Sequence, residues 1–162
     1  MRQNKFKTIL LPISDKLFRL ALSITRSKED AEDVVQDVLF HILKKDDWEK
    51  IENIEAYCFR STRNRALDTI ALKDNQALAI PEDFDYPLYD DIEQQIEAQE
   101  QIDLIENWLL KMPEKQQTIF RLREVEELSY KEIASILNIT EEQVKTVLFR
   151  LRRKLKEYFD KD

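Results

Sequence analysis

The apolar positions of residues 128–156 repeat with the period of two consecutive α-helices. In the second helix, apolar side chains recur at i, i+3, i+4, i+7 and i+11, which is one stripe at 3.6 residues per turn. They are Val144, Val147, Leu148, Leu151 and Leu155. The preceding segment has its own stripe, made by Ile133, Ala134, Ile136 and Leu137. Each stripe predicts a helix with one buried face.

The ends of these two helices are marked by capping residues. Ser129 lies three residues before Glu132, and Thr140 lies three residues before Gln143. Both pairs have the pattern of a capping box, in which two side chains satisfy orphan backbone N–H groups at a helix start. Asn138 lies between the helices, where the backbone must adopt the left-handed conformation, and Asn is the best substitute for Gly in that conformation. The segment is therefore predicted to be a helix–turn–helix.

Opposite its apolar stripe, the second helix has a polar and basic face. From Gln143 to Lys156 the sequence has six basic residues and no acidic one. A helix–turn–helix presents such a helix to the DNA major groove. The alternative is an ordinary helical hairpin with a solvated basic face. We favour DNA binding, because the capping boxes, the short turn and the basic outer face all fit a helix–turn–helix. The candidate DNA-binding residues are Glu142, Gln143, Lys145, Thr146, Phe149, Arg150 and Arg153.

Two amphipathic helices are predicted near the start of the chain. The first covers Phe6–Arg26, with Pro12 at a kink or at the start of its second half. Ser27 is a good N-cap for the second, Lys28–Lys45. The predicted buried residues are Ile13, Leu17, Leu20, Ala21 and Ile24 in the first helix, and Ala31, Val34, Val35, Val38, Leu39 and Ile42 in the second.

The outer face of the Lys28–Lys45 helix contains an aromatic residue among polar ones. It carries Asp33, Gln36, Asp37 and Phe40. Phe40 is either a single exposed aromatic, which is common, or part of a docking surface for another protein. These residues alone leave both interpretations open.

A third helix is predicted over Ile54–Leu72, after a short polar connection that carries Trp48. Asn53 is its N-cap, and Phe59, Thr62, Ala66 and Ile70 face inward. Its outer face suits single-stranded nucleic acid, where bases stack on rings and phosphates meet guanidinium groups. A solvated polar face is the equally good alternative. The outer residues are Tyr57, Arg60, Ser61, Asn64 and Asp68.

The rest of the chain predicts a linker and two more helices. Residues 73–89 lack periodicity and are rich in acidic residues, which indicates a flexible linker. Helix resumes near Asp91, is interrupted at Met112–Pro113, and continues over Glu114–Glu124, with Pro113 in a first-turn position. The predicted buried residues are Ile92, Ile96, Ile102, Ile105, Trp108 and Leu109, then Ile119, Phe120 and Leu122. We expect an all-α fold of two small helical domains, 1–72 and 91–162, joined by an acidic linker, 73–90.

Composition excludes several classes of function. The 162 residues include no Gly, so Gly-rich phosphate loops and dinucleotide motifs are absent. With one Cys (Cys58) and one His (His41), we expect neither a disulfide framework nor a metal site, and no cofactor. No signal peptide or membrane span is visible, which predicts a cytoplasmic protein.

The charge is distributed unevenly along the chain. The net charge is −7, yet residues 76–108 alone hold ten acidic and no basic side chains. The flanking parts are close to neutral or slightly basic. Because long-range attraction follows the summed field, we expect poor DNA affinity for the isolated chain and binding with help from a partner.

Three stretches together resemble one family, in its order and at its spacing. They are DAEDVVQDVLFHILKK (Asp30–Lys45), AYCFRSTRNRALD (Ala56–Asp68) and the segment Met112–Glu157, which contains the helix–turn–helix. The family is that of the extracytoplasmic-function (ECF) sigma factors of bacterial RNA polymerase. The last stretch alone resembles many helix–turn–helix regulators, whereas the three together are specific.

The resemblance implies a role for each helix. The Asp30–Lys45 helix matches the segment that docks on the clamp of the polymerase's largest subunit, with Asp33 and Gln36 on recurrent family residues. The Ile54–Leu72 helix matches the part that captures the melted minus-10 element, with Asn64 and Asp68 aligned. The helix–turn–helix matches the reader of the minus-35 duplex. The chain departs from the family after Asp68, where Lys73 replaces the usual run of Arg, and at Asn138, which replaces a turn Gly.

The resemblance also implies partners. They are bacterial core RNA polymerase, promoter DNA and an anti-sigma factor, with no small-molecule substrate. The expected function is a dissociable transcription initiation subunit that makes no bonds itself. A stand-alone regulator using the same helix–turn–helix is the second hypothesis. An enzyme is the third, and one His and one Cys give it almost no support.

Overall fold

The structure is a computed structural model, in which residues 5–75 and 95–160 are described. The chain divides into two compact units, Met1–Phe84 and Asp85–Asp162. Every regular element in the described residues is helical, which confirms the all-α prediction. The predicted linker lies outside the described residues, apart from its first three positions. No helix in the described ranges is both long enough and apolar enough to cross a bilayer.

The N-terminal unit is built from three helices that pack pairwise. A π-helical turn, Phe6–Leu10, leads into α1 (Leu11–Thr25), and α2 (Lys28–Lys44) and α3 (Ile54–Asn75) follow. Pro12 lies in the first turn of α1, where its missing N–H removes no hydrogen bond. The predicted apolar stripes of α1 and α2 are buried, with Leu39 half-buried.

The predicted caps of this unit are present. The Ser27 hydroxyl accepts from the Asp30 N–H at 3.2 Å. The Asn53 side-chain oxygen accepts from the Ala56 N–H at 3.0 Å. Arg26 takes the left-handed conformation that ends α1, with φ of 55°. The boundaries of α2 and the start of α3 are thus set by local sequence.

The connection between α2 and α3 is not the simple polar link that its sequence predicts. It contains a 3₁₀ turn, Trp48–Lys50, and Trp48 is only 1% exposed. A single turn is too short to show a helical repeat of apolar residues, so no sequence pattern predicts that Trp48 is buried. Trp48 anchors the connection in the interior by its large apolar surface.

Helix α3 runs three residues beyond its predicted end. Lys73, Asp74 and Asn75 continue the helix instead of starting the linker. Lys73 forms an ion pair with Asp30 in the first turn of α2. This contact between two helices gives the last turn of α3 a partner that the local sequence does not reveal.

The described residues of the C-terminal unit form four helices, three of which share an apolar cluster. They are α4 (Gln95–Leu110), α5 (Glu114–Glu124), α6 (Tyr130–Leu137) and α7 (Glu141–Asp160). The cluster joins α4, α5 and α7 through Trp108, Leu109, Phe120 and Leu151. Trp108 and Phe120 meet edge to face, with ring centroids 5.8 Å apart. Arg121 of α5 also donates to both Glu106 oxygens of α4, at 2.7 and 2.9 Å.

Two predictions about this unit need correction. Ile102 is 53% exposed, because the cluster on α4 begins one turn later, at Ile105. Pro113 lies just before α5 as its N-cap, instead of within its first turn. The side chains of Ile92 and Ile96 lie outside those that the structure describes. Ile119, Phe120 and Leu122 are buried as predicted.

Candidate nucleic-acid interface

The helix–turn–helix is fixed by two reciprocal caps. The Ser129 hydroxyl accepts from the Glu132 N–H at 3.0 Å, and the Ser129 N–H donates to the Glu132 carboxylate at 3.4 Å. The Thr140 hydroxyl accepts from the Gln143 N–H at 3.1 Å, and the Thr140 N–H donates to the Gln143 Oε1 at 2.9 Å. Both predicted capping boxes are confirmed.

The turn between α6 and α7 is made without Gly. Asn138 has φ of 55° and ψ of 49°, the left-handed conformation predicted for it. The next residue, Ile139, donates its N–H to the Ala134 carbonyl at 3.0 Å. The turn therefore closes with its backbone groups satisfied, and it sets the direction in which α7 leaves α6.

The inner side of α7 is the apolar stripe that the sequence predicts. Val144, Leu148 and Leu151 are at most 1% exposed. Val147 and Leu155 are partly buried against the Trp108 cluster. Because one side of the helix is committed to the core, the opposite side is the one available for a ligand.

The seven predicted DNA-binding residues all lie on the exposed side of α7. We call this set, Glu142, Gln143, Lys145, Thr146, Phe149, Arg150 and Arg153, the α7 face. Phe149 is 67% exposed, although an aromatic ring gains free energy by burial. Gln143 uses its side-chain oxygen in the cap, so its NH₂ group is what it can offer outward. Thr146 donates its hydroxyl to the Glu142 carbonyl at 2.9 Å.

The basic residues of α7 do not all belong to this face. Arg152 contacts the Glu124 Oε1 on α5, with its Nε at 2.9 Å and a terminal nitrogen at 2.8 Å. The hydrogen bond to Glu124 raises the pKa of the Arg152 guanidinium further above its ordinary high value. Arg153 has only a looser pair with Glu157, at 3.6 Å, one turn along α7. Arg152 thus joins α7 to α5, which a count of basic residues cannot reveal.

The sequence reasoning also missed a cluster that supports the start of α6. Arg123 donates to the Leu128 carbonyl at 2.9 Å, and its guanidinium carbon lies 4.5 Å from the Tyr130 ring centroid. The Lys145 Nζ lies 5.8 Å from the same centroid. Glu127 has φ of 58°, a left-handed conformation that is costly for a non-Gly residue. No sequence signal marks this arrangement, because its members come from three different elements.

On α2 the four predicted docking residues lie together on the surface. Asp33, Gln36, Asp37 and Phe40 are all exposed, and we call them the α2 face. Phe40 is 57% exposed, with the Lys44 Nζ 4.3 Å from its ring centroid. The structure therefore presents an aromatic ring beside two carboxylates and an amide.

On α3 the predicted outer residues share one side with differing exposure. Arg60, Asn64 and Asp68 are exposed, whereas Tyr57 and Ser61 are half-buried. These five residues form the α3 face. Lys45 lies over the Tyr57 ring, with its Nζ 4.6 Å from the centroid, and also contacts the Tyr57 hydroxyl. The Lys45 ammonium group therefore covers one face of the Tyr57 ring, a contact that the sequence did not predict.

The chain's single Cys is a packing residue. Cys58 is fully buried. Burial raises the pKa of the Cys58 thiol to about 12, with the Glu55 carboxylate adding to the effect. The thiol is therefore protonated at neutral pH and is a poor nucleophile.

Comparison with known proteins identifies both units. The model of Sigma-70 region 2 matches residues 13–76, and the model of Sigma-70, region 4 matches residues 102–155. Together the two matches cover most of the chain. They correspond to the N-terminal helices that carry the α2 and α3 faces, and to the C-terminal helices that carry the α7 face.

Two relatives give the same result, one of similar length and one considerably longer. The chain is 28% identical over 150 residues to the ECF RNA polymerase sigma factor SigM of Bacillus subtilis, covering 90% of this chain and 89% of that one. It is 26% identical over 151 residues to the ECF sigma factor SigE of Mycolicibacterium smegmatis, covering 91% and 59%.

A solved structure shares the fold. It is the sigma factor RpoE of Bartonella quintana in complex with the anti-sigma factor NepR, with a TM-score of 0.72, 24% identity and 98% of both chains covered. From the two domain matches and these relatives, the chain belongs to the ECF sigma factors, the subunits that direct bacterial RNA polymerase to promoters.

Proposed function

We propose that this sigma factor divides promoter recognition among three surfaces. The α7 face reads the minus-35 duplex, the α3 face captures the melted minus-10 strand, and the α2 face docks on the clamp of the polymerase's largest subunit. The polymerase catalyses RNA synthesis, and the sigma factor supplies binding energy and position. The observation that carries the proposal is the α7 face, seven exposed residues on a helix whose other side is buried in a capped helix–turn–helix.

The first turns of α7 offer groups that match base edges in the major groove. The Gln143 amide can donate to a base acceptor, and the Glu142 carboxylate can accept from a cytosine amino group. Because the Thr146 hydroxyl is bonded to its own helix, its methyl group is available for a thymine methyl. Phe149 adds a large apolar contact beside them. Direct readout is therefore assigned to the N-terminal half of α7.

The later basic residues of the α7 face are assigned to phosphates, and this assignment gives a prediction. Each phosphate contact contributes about 0.9 to the slope of log affinity against log salt concentration. Replacing Arg150 or Arg153 with Ala should therefore lower the slope by about one. Arg152→Ala is the matched control, because the Glu124 pair keeps that side chain off the face. It should leave the slope unchanged and cost less than about 1 kcal/mol of stability, since the pair is exposed.

The measurement is a salt titration of the full chain in complex with core polymerase, on a duplex recovered by selection from a randomised pool. Binding is followed by fluorescence anisotropy for the wild type and the three single variants. An unchanged slope for Arg150→Ala and Arg153→Ala, or a reduced slope for Arg152→Ala, would show that the phosphate contacts are misassigned.

The α3 face has the chemistry to hold unpaired bases. Exposed Arg60 lies one turn along α3 from the Tyr57 ring, on which a base can stack, and exposed Asn64 lies two turns along. Arg60 and the nearby Lys45 supply positive charge for phosphates. Stacking and hydrogen bonds to the extruded bases offset the cost of unpairing them, which is about a few kcal/mol. The half-buried position of Tyr57 limits its motion and so keeps the ring ready for a base.

The α2 face suits a protein partner. Exposed carboxylates at Asp33 and Asp37 form strong hydrogen bonds with Arg side chains of a partner. Phe40 supplies the aromatic contact that is enriched in protein interfaces. We assign Phe40 to this docking surface, and its place among the α2 face residues and its 57% exposure support the assignment.

A negative regulator completes the proposal. The solved relative from Bartonella quintana is bound to an anti-sigma factor. We assign this chain the same class of partner, a protein that keeps the sigma factor from the polymerase. The acidic segment 76–108 weakens autonomous DNA binding, so promoter recognition depends on the polymerase.

A further inference from the structure

Arg65 of α3 is held by two residues of α2. It follows Asn64 and lies at the edge of the α3 face, but its guanidinium contacts the neighbouring helix. A terminal nitrogen is 3.3 Å from the Asp37 Oδ2 and 3.2 Å from the His41 Nε2. Asp37 and His41 are one turn apart on α2. Because a guanidinium group only donates, both the carboxylate and the imidazole nitrogen accept from it.

These contacts are weak enough to exchange. The Arg65 side chain is 41% exposed and the Asp37 side chain 56% exposed. An ion pair in such solvated surroundings contributes at most about 1 kcal/mol. A ligand that offers a charge-assisted hydrogen bond to either member can therefore replace the other. The pair is better suited to changing partners than to holding the bundle together.

The two ends of this pair belong to different proposed binding surfaces. Asp37 is part of the α2 face, and Arg65 borders the α3 face. A basic polymerase side chain that binds Asp37 competes directly with Arg65. We propose that Arg65 binds a phosphate of the single-stranded promoter segment, that Asp37 and His41 occupy it in the free protein, and that docking on the polymerase releases it. This inference rests on the proposed function of the α2 and α3 faces.

The neighbouring pair on the same two helices is of a different kind. Lys73 of α3 pairs with Asp30 of α2, whose side chain is only 18% exposed. Asp30 also donates its backbone N–H to the Ser27 cap and lies outside the α2 face. Polymerase docking therefore leaves Lys73 in place. Lys73→Gln removes an α3 cation paired to α2, as Arg65→Gln does, and so is the matched control.

The first experiment measures single-strand binding by the free protein. The probe is a labelled single-stranded oligodeoxynucleotide of randomised sequence, and the readout is fluorescence anisotropy. Asp37→Asn should bind roughly fivefold more tightly than the wild type, because a released Arg65 makes a charge-assisted bond to phosphate. The gain should vanish when Arg65→Gln is added. Glu32→Gln, an exposed change of the same charge on α2, controls for the general field.

A gain of equal size in Glu32→Gln, or a gain that persists without Arg65, would overturn the assignment. In both cases the effect would come from net charge alone. Circular dichroism of each variant shows whether the helical fold is retained, and the exposed positions of Asp37 and Glu32 and the partly exposed position of Arg65 predict that it is.

The second experiment uses the holoenzyme on a promoter that the wild type selects from a randomised template pool. Arg65→Gln should bind core polymerase at least as tightly as the wild type, because Arg65 no longer competes for Asp37, while permanganate-detected strand opening falls roughly fivefold. Lys73→Gln should change neither. Equal strand opening by Arg65→Gln and the wild type would overturn this inference alone. A wild type that fails to bind core polymerase would instead overturn the proposed function.

Discussion

Replacing Leu148 with Ala should lower the free energy of unfolding by about 3 kcal/mol, whereas replacing its neighbour Phe149 with Ala should leave stability nearly unchanged. Leu148 is 1% exposed on the inner stripe of α7, so its truncation leaves a cavity beside α6. Phe149 is 67% exposed on the opposite side, where truncation removes few intramolecular contacts. Urea unfolding of the full chain, followed by circular dichroism, measures the difference.

DNA affinity should show the reverse pattern: Phe149→Ala should be affected more than Leu148→Ala. Phe149→Ala should weaken binding of the minus-35 duplex roughly tenfold, through loss of an apolar contact with base edges. Leu148→Ala, measured at low temperature where it remains folded, should bind within a few-fold of the wild type. A destabilised Phe149→Ala, or a Leu148→Ala of unchanged stability, would mean that the faces of α7 are reversed.

Asp33→Ala and Gln36→Ala should each weaken binding of core polymerase by roughly tenfold or more. Both side chains are exposed on α2, and a hydrogen bond to a charged group of the polymerase contributes about 1.5–3 kcal/mol. Because neither side chain supports the bundle, helical content should be unchanged. The measurement is competition between labelled wild type and unlabelled variant for core polymerase.

Glu32→Ala is the control for this pair of variants. Glu32 is exposed on the same helix, but it lies roughly a quarter of a turn away from the α2 face. It should compete as well as the wild type does. Equal losses in all three variants would indicate a general charge effect, and a loss of helix in Asp33→Ala would show that the residue is structural.

The predictions that held concern features that neighbouring residues determine. The caps at Ser27, Asn53, Ser129 and Thr140 depend on groups three residues apart. The apolar stripes depend on a helical period that is visible in the sequence. Exposure of the α2 and α7 faces follows from those stripes, because the side opposite a buried stripe is exposed, whereas the α3 face is exposed only in part.

The features that the sequence did not reveal depend on contacts between elements. Arg152 has the same charge as Arg150, yet only Arg152 has Glu124 within reach on another helix. Trp48 is buried from a single turn that shows no period. Ile102 is exposed because the core ends one turn away along α4. Sequence periodicity places a residue on a face, but it does not tell where the neighbouring helices end.

A chain without Gly must also place other residues in left-handed backbone. Only Asn138 was predicted there, whereas Arg26 and Glu127 adopt positive φ as well. Asn tolerates this region because its short polar side chain bonds locally, while Arg and Glu give no such signal. Arg26 is the residue at which α1 ends, and Glu127 lies in the connection between α5 and α6.

The most direct test of the account is reconstituted transcription with purified components. The full chain is added to bacterial core RNA polymerase on a randomised template pool, and transcripts are sequenced from their first nucleotide. The account predicts transcripts from templates that share one upstream and one downstream element, above the level given by core polymerase alone. Tight binding of a specific duplex by the isolated chain, with no added transcript from core polymerase, would contradict it.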